Sequence, residues 1–192
     1  LTVTVFVLLV LKTVALIAQL NSMIFDIILA VLFIVYAGFT IHRLYKRKRP
    51  TSDATVWFWR LGMGLLIVSM ISLPFEFTLL TAITFIGFAL SIVFAMVYKI
   101  VPFLVWFHLS NQGYMEAPMM HDVIHPKKAK MHFFIHIIML IGWLSVTFLD
   151  ILLIKVVTSL LLLLSFGWLL YHLLDAARKY RYTQKYCKRM EW

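Results

Sequence analysis

Apolar residues in this chain run for about 20 positions at a time, and only short polar breaks separate one run from the next. A helix rises 1.5 Å per residue, so a run of that length crosses the roughly 30 Å hydrocarbon core of a bilayer. Inside that solvent every backbone N–H and C=O must be satisfied within the protein. With 63% hydrophobic residues and few Gly and Pro, the expected fold is an all-α, polytopic membrane helical bundle of about six transmembrane helices. A soluble core has no use for so much apolar surface.

The six expected spans are Leu1–Leu20, Met23–Tyr45, Thr55–Pro74, Phe77–Leu109, Met131–Ile154 and Val156–Ala177. A His-rich loop over 110–130 and a basic tail over 178–192 complete the chain. Pro102 removes a backbone donor and crowds the preceding turn, so it is expected to kink the fourth span or to begin a separate helical piece. The chain opens on Leu1 inside an apolar run with no basic region or cleavage site. A longer parent protein with a preceding N-terminal part is therefore expected, and that part or other membrane subunits are the expected protein partners.

The net charge of +10 would point to nucleic acid in a soluble domain. Here the charge sits in loops and tail, where the lipid bilayer and its anionic lipids account for it, and nucleic acid is set aside as a partner. The segments His42–Arg49, Lys127–Lys130 and Arg178–Arg181 fall on one side if the spans alternate. By the positive-inside bias that side is cytoplasmic, giving a multi-pass protein of the cell membrane with a cytoplasmic C-terminus. Trp57, Trp59, Tyr98 and Trp106 sit where an inner aromatic belt belongs. The opposite turns, Asn21-Ser22, Leu73–Glu76 and Asp150–Lys155, are short.

Charges inside the spans need partners. Lys12, in the middle of the first span, is expected to face a protein interior, to snorkel, or to meet a group such as Asp26. Arg60 and Lys99 lie close enough to the inner side to snorkel. The single Cys187 excludes an internal disulfide framework and reads as an incidental thiol in the basic tail.

All seven histidines fall near or beyond the basic ends of the spans. His132 and His136 are spaced i, i+4 and share a helical face, and His172 lies about a turn and a half inside the end of the sixth span. His121 and His125 have the same spacing, with Asp122 and Glu116 nearby, and share a face if Met119–His125 is helical. His108 begins the loop. Neutral imidazole is the usual protein ligand for haem iron and for copper, zinc or non-haem iron. Taken singly, each ring also reads as an interfacial residue bonded to backbone or headgroup. Taken together, His132, His136 and His172 are candidate cofactor ligands, and His108, His121 and His125 candidate metal ligands or proton carriers. Asp175, three residues after His172, is placed to orient that ring or simply to begin the solvated tail.

The run Tyr98-Lys99-Ile100-Val101-Pro102-Phe103-Leu104-Val105-Trp106-Phe107-His108-Leu109 and the later Ala117-Pro118-Met119-Met120 are the most distinctive stretches. Over Phe85 to His125 the chain resembles membrane proteins related to the haem-copper oxidase and nitric oxide reductase large subunit, including NnrS-like proteins. The resemblance implies a respiratory-type oxidoreductase bundle holding haem b, with copper or non-haem iron as the lesser cofactor, for electron transport or chemistry on oxygen or nitric oxide. Catalytic members carry a His-x-His pair ahead of this segment, whereas Thr78-Leu79-Leu80-Thr81-Ala82 has none. Ligands would then come from His132, His136 and His172 or from the preceding part. Two other readings stand beside it. His121-x-x-x-His125 and His132-x-x-x-His136 resemble the histidine boxes of non-haem iron membrane enzymes, and the apolar helices also suit a non-catalytic accessory subunit of a membrane complex.

Overall fold

The computed structural model describes residues 2–18, 23–47, 53–75 and 77–189. The turn Asn21-Ser22, Lys48, Arg49, Glu76 and the last three residues of the basic tail lie outside the described residues. The chain is an all-α membrane bundle: α1 (Thr2–Ile17), α2 (Met23–Tyr45), α3 (Ala54–Ser72) with a 3-10 turn at Leu73–Phe75, α4 (Thr78–Asn111), the short α5 (Met120–Val123), α6 (Pro126–Phe148) and α7 (Leu152–Tyr186). Among the described residues the only extended pairing is one isolated bridge between Tyr114 and Arg189.

Among the described residues five helices are long and apolar enough to cross a membrane: α2, α3 with its 3-10 turn, α4, α6 and α7. The expected first span is different. Its described helix has 16 residues, a length of about 24 Å, short of the hydrocarbon thickness, and Leu1, Gln19 and Leu20 of that span lie outside the described residues. Hydroxyls along the helices are absorbed by the carbonyl four residues back, as Thr13 does with Leu9, Thr40 with Tyr36, Ser145 with Ile141 and Ser159 with Lys155. Such residues therefore add no unpaired polar group to an apolar face.

Two expectations about helix ends are corrected. Pro102 begins no separate piece, because α4 continues through it to Asn111. The helix stops where the chain turns at Gly113, whose φ of 79° favours glycine, with Tyr114 N–H donating to the Leu109 carbonyl. The basic tail does not begin at 178 as a separate segment either. α7 extends to Tyr186, carried by the i, i+4 pair Asp175–Lys179 at 3.1 Å and closed by the Cys187 N–H on the Thr183 carbonyl.

The chain divides into two compact units. The first comprises 1–50 and 60–90. In it α1 packs on α2, α2 meets the 3-10 turn, and Leu29, Ala30, Ala37, Met63 and Leu66 form the buried interior. Lys12 makes a salt bridge with Asp26, the partner expected for it. A hydroxyl cluster joins the ends of its α3 and α4 portions, with Ser72 Oγ 2.8 Å from Thr81 Oγ1 and Ser69 Oγ donating to the Thr81 carbonyl.

The second unit comprises 51–59 and 91–192. Its main packing is the hairpin of α6 on α7. Gly142 makes that contact close: a Cβ there would stand 2.6 Å from Thr158 Oγ1. Leu109, Val123, Met139 and Ala176 fill the unit around three buried histidines.

Candidate functional site

The site grows from the i, i+4 repeat on α6, which turns His132 and His136 toward the same side. Both rings are fully buried in the second unit, and His172 on α7 is 2% exposed. Buried polar atoms are costly unless paired, so the partners of each ring nitrogen decide what it does.

His132 is paired at both ends. Its Nδ1 lies 3.0 Å from the Tyr98 hydroxyl of α4, and its Nε2 lies 2.8 Å from Ser165 Oγ of α7. A neutral imidazole needs one donor and one acceptor, and a hydroxyl can serve as either. Both tautomers are therefore satisfied in this site. Phe94 packs against the ring at 4.6 Å between centroids, and Phe58 approaches it edge-on at 5.8 Å.

His136 is paired at one end. Its Nε2 lies 2.9 Å from Ser91 Oγ, while Nδ1 is buried without a protein partner. Phe94 and Phe58 again flank the ring, at 5.1 and 5.6 Å. His172 is held edge-on by Trp168 and Tyr171, both at 5.2 Å, and its Nε2 is likewise buried without a partner. Asp175, read either as orienting that ring or as beginning the solvated tail, has its carboxylate engaged by Lys179 at 3.1 Å and Lys128 at 3.9 Å. Trp168 donates its indole N–H to the Lys128 carbonyl, tying α7 to the first turn of α6.

The three loop histidines have separate environments. His108 is exposed and meets the Tyr180 ring edge-on at 5.7 Å. His121 is exposed and pairs with Asp122 at 3.4 Å. His125 does not share a helical face with His121, because α5 ends at Val123. It is the N-cap of α6, accepting the Lys127 N–H on its Nδ1 at 3.2 Å with Pro126 at the first helical position. Among the described residues no group of three or more His, Cys, Asp or Glu side chains is gathered for a metal ion.

Beside the buried network, and within the same unit, lies a cavity of about 190 Å³. Tyr98 forms part of its wall together with Asp53, Thr55, Lys99, Pro102 and His121. Asp53 caps α3 through the Val56 N–H at 3.2 Å and stands 3.7 Å from Lys99 Nζ.

Ser91, Phe94 and Ser165 were not among the residues singled out from the sequence, and Tyr98 was read there as a belt aromatic. The serines had a signal: each is a polar residue inside a strongly apolar run, where a free hydroxyl has no water to bond. No protein-family model matches the chain, and no curated protein or solved structure is significantly similar to it.

Proposed function

We propose that this chain is an integral membrane protein of respiratory type whose second unit binds a redox cofactor through a buried histidine, His136 or His172. The observation that carries the reading is the pair of open nitrogens. His136 Nδ1 and His172 Nε2 are buried and unpartnered, and leaving such a group unmet costs about 1–3 kcal/mol. A metal bound through the lone pair removes that cost.

The donor chemistry selects among cofactors. Haem b can be held by one protein imidazole, which either open ring could supply; the two would not share an iron, because the Ser165–His132 and Trp168–Lys128 contacts set His172 about 15 Å along the hairpin from His136. Copper and non-haem iron take three or more protein ligands, a larger set than the described residues gather. When bound, haem supplies reversible one-electron transfer and an iron able to meet a diatomic ligand. The chain's own residues orient the rings. Ser91 fixes the far nitrogen of His136, Phe94 and Phe58 set its plane, and Trp168 and Tyr171 hold His172. His132, with both nitrogens engaged, is a positioning residue here and not a ligand. The resemblance over Phe85 to His125 adds support, since Ser91, Phe94 and Tyr98 all lie in that segment. On this reading the basic ends face the cytoplasm and anionic lipid, which places the histidines toward the inner leaflet.

The test is an absorption spectrum and metal analysis of the purified full chain. A Soret band that either His136→Ala or His172→Ala abolishes, and that His132→Gln retains, is the expected result. A protein with neither haem nor metal, stable only beside another membrane subunit, overturns the reading in favour of an accessory role.

A further inference from the structure

The Tyr98 side chain belongs to two features at once. It lines the cavity that also carries Asp53, Lys99 and His121, and its hydroxyl is hydrogen-bonded to the fully buried His132. The contact continues through the ring to Ser165 at 2.8 Å. These are three consecutive groups, each able to give and to accept a proton, with Phe94 and Phe58 packed against the ring. Pro102, on the same cavity wall, has no N–H to give the Tyr98 carbonyl, so an acceptor is left beside the cavity. A space of about 190 Å³ with a carboxylate, an ammonium, an imidazole and a phenol on its wall has room for several waters and groups to hold them.

We propose that this cavity is a proton-entry port, and that Tyr98, His132 and Ser165 form the relay that carries a proton from it into the buried interior of the second unit. In one transfer the Tyr98 O–H proton moves to His132 Nδ1 and the Nε2 proton moves to Ser165 Oγ. Cavity water restores the Tyr98 hydroxyl, and Ser165 passes its own proton to a second water. One proton enters, one leaves, and no electrons move. The ring ends in the other tautomer, which the same two hydroxyls also satisfy. The charged and titratable groups at the port are Asp53 and Lys99, which face each other, and the exposed His121. The relay stands on its own geometry and needs no metal on His136 or His172.

Hydrogen exchange at the His132 ring tests it. The full chain, labelled with ¹⁵N-histidine and ¹⁵N-tryptophan and held in lipid nanodiscs, is transferred to D2O. The His132 ring N–H is identified by its loss in His132→Gln, and the Trp168 indole N–H, bonded to the Lys128 carbonyl, reports opening of the fold. The relay requires the buried ring to exchange faster than Trp168. Tyr98→Phe slows it tenfold or more, and His121→Trp, an exposed substitution that narrows the port, slows it in the same direction. Ser165→Ala, which removes the acceptor of the Nε2 proton, slows it as well. Exchange that keeps pace with Trp168 in every variant means entry by local unfolding and overturns the proposal. So does wild-type exchange in both Tyr98→Phe and His121→Trp, or slowing by Ser165→Ala alone. None of these outcomes depends on haem content, so this proposal and the cofactor reading fail separately.

Discussion

At the scale of single residues, the network around His132 is closed and therefore sensitive to removal of one partner. Ser165→Ala deletes the only hydroxyl at Nε2 and leaves a ring nitrogen buried beside carbon. The expected cost is about 1–3 kcal/mol, read as a lower thermal midpoint of the detergent-solubilised protein. Ser159→Ala is the control: that hydroxyl is exposed and bonds only the Lys155 carbonyl of its own helix, so the midpoint stays where it was. Cys187 offers a pH-dependent readout outside the spans. Partial burial raises the thiol's pKa first, and a hydrogen bond and the negative charge of Glu116 raise it further. A raised pKa favours the protonated thiol, which is the unreactive form, so alkylation at neutral pH is slower than for a free cysteine. Glu116→Gln removes the charge and speeds alkylation several-fold at the same pH, measured by mass spectrometry. An unchanged rate means Glu116 has no hold on the thiol.

At the scale of elements, the close packing of α6 on α7 depends on the absence of a side chain at 142. Thr158 is 2% exposed and β-branched, so it cannot swing away from an added methyl. Gly142→Ala is expected to cost about 1–3 kcal/mol by overpacking. The double variant Gly142→Ala with Thr158→Ala recovers most of that, because the contacting atoms are gone, and equal losses in single and double variants would show the clash is not the cause. Element positions were largely legible in the sequence, because apolar run length and the cost of bare backbone in lipid leave little choice. Ends were less so. His125-Pro126 carried a helix-start signal, with the residue before Pro extended and Pro at the first helical turn, yet the i, i+4 spacing to His121 pointed the other way. The extension of α7 to Tyr186 was hidden because hydropathy ends a span, not a helix. In the site, His132 and His136 were visible as a pair on one face. Their partners were not, since Tyr98, Ser165 and Ser91 come from other helices 34, 33 and 45 residues away, and nothing local couples them.

At the scale of the whole molecule, charge and span number together predict an orientation. Each of the five long helices has one end near a basic segment: α2 at Arg43–Arg47, α6 at Lys127–Lys130 and α7 at Arg178–Arg189, with α3 and α4 joining these in sequence order. Alternating the spans puts all three segments on one side, whereas an inverted arrangement would carry every one of them across the bilayer. On that prediction Asp150 falls on the opposite side. It sits in the turn between α6 and α7, fully exposed and paired with Lys155, and that pairing lowers its pKa. Its folded pKa being depressed, the pairing is present at neutral pH and is lost as the pH falls through the folded value. The single native thiol makes the orientation measurable without further engineering. In intact cells a membrane-impermeant maleimide is expected to leave Cys187 unlabelled, and permeabilisation exposes it. In a Cys187→Ser background, a cysteine placed at Asp150 reverses both results. Labelling of Cys187 in intact cells would put the basic ends outside, against the positive-inside bias, and would move the buried histidines from the inner to the outer leaflet.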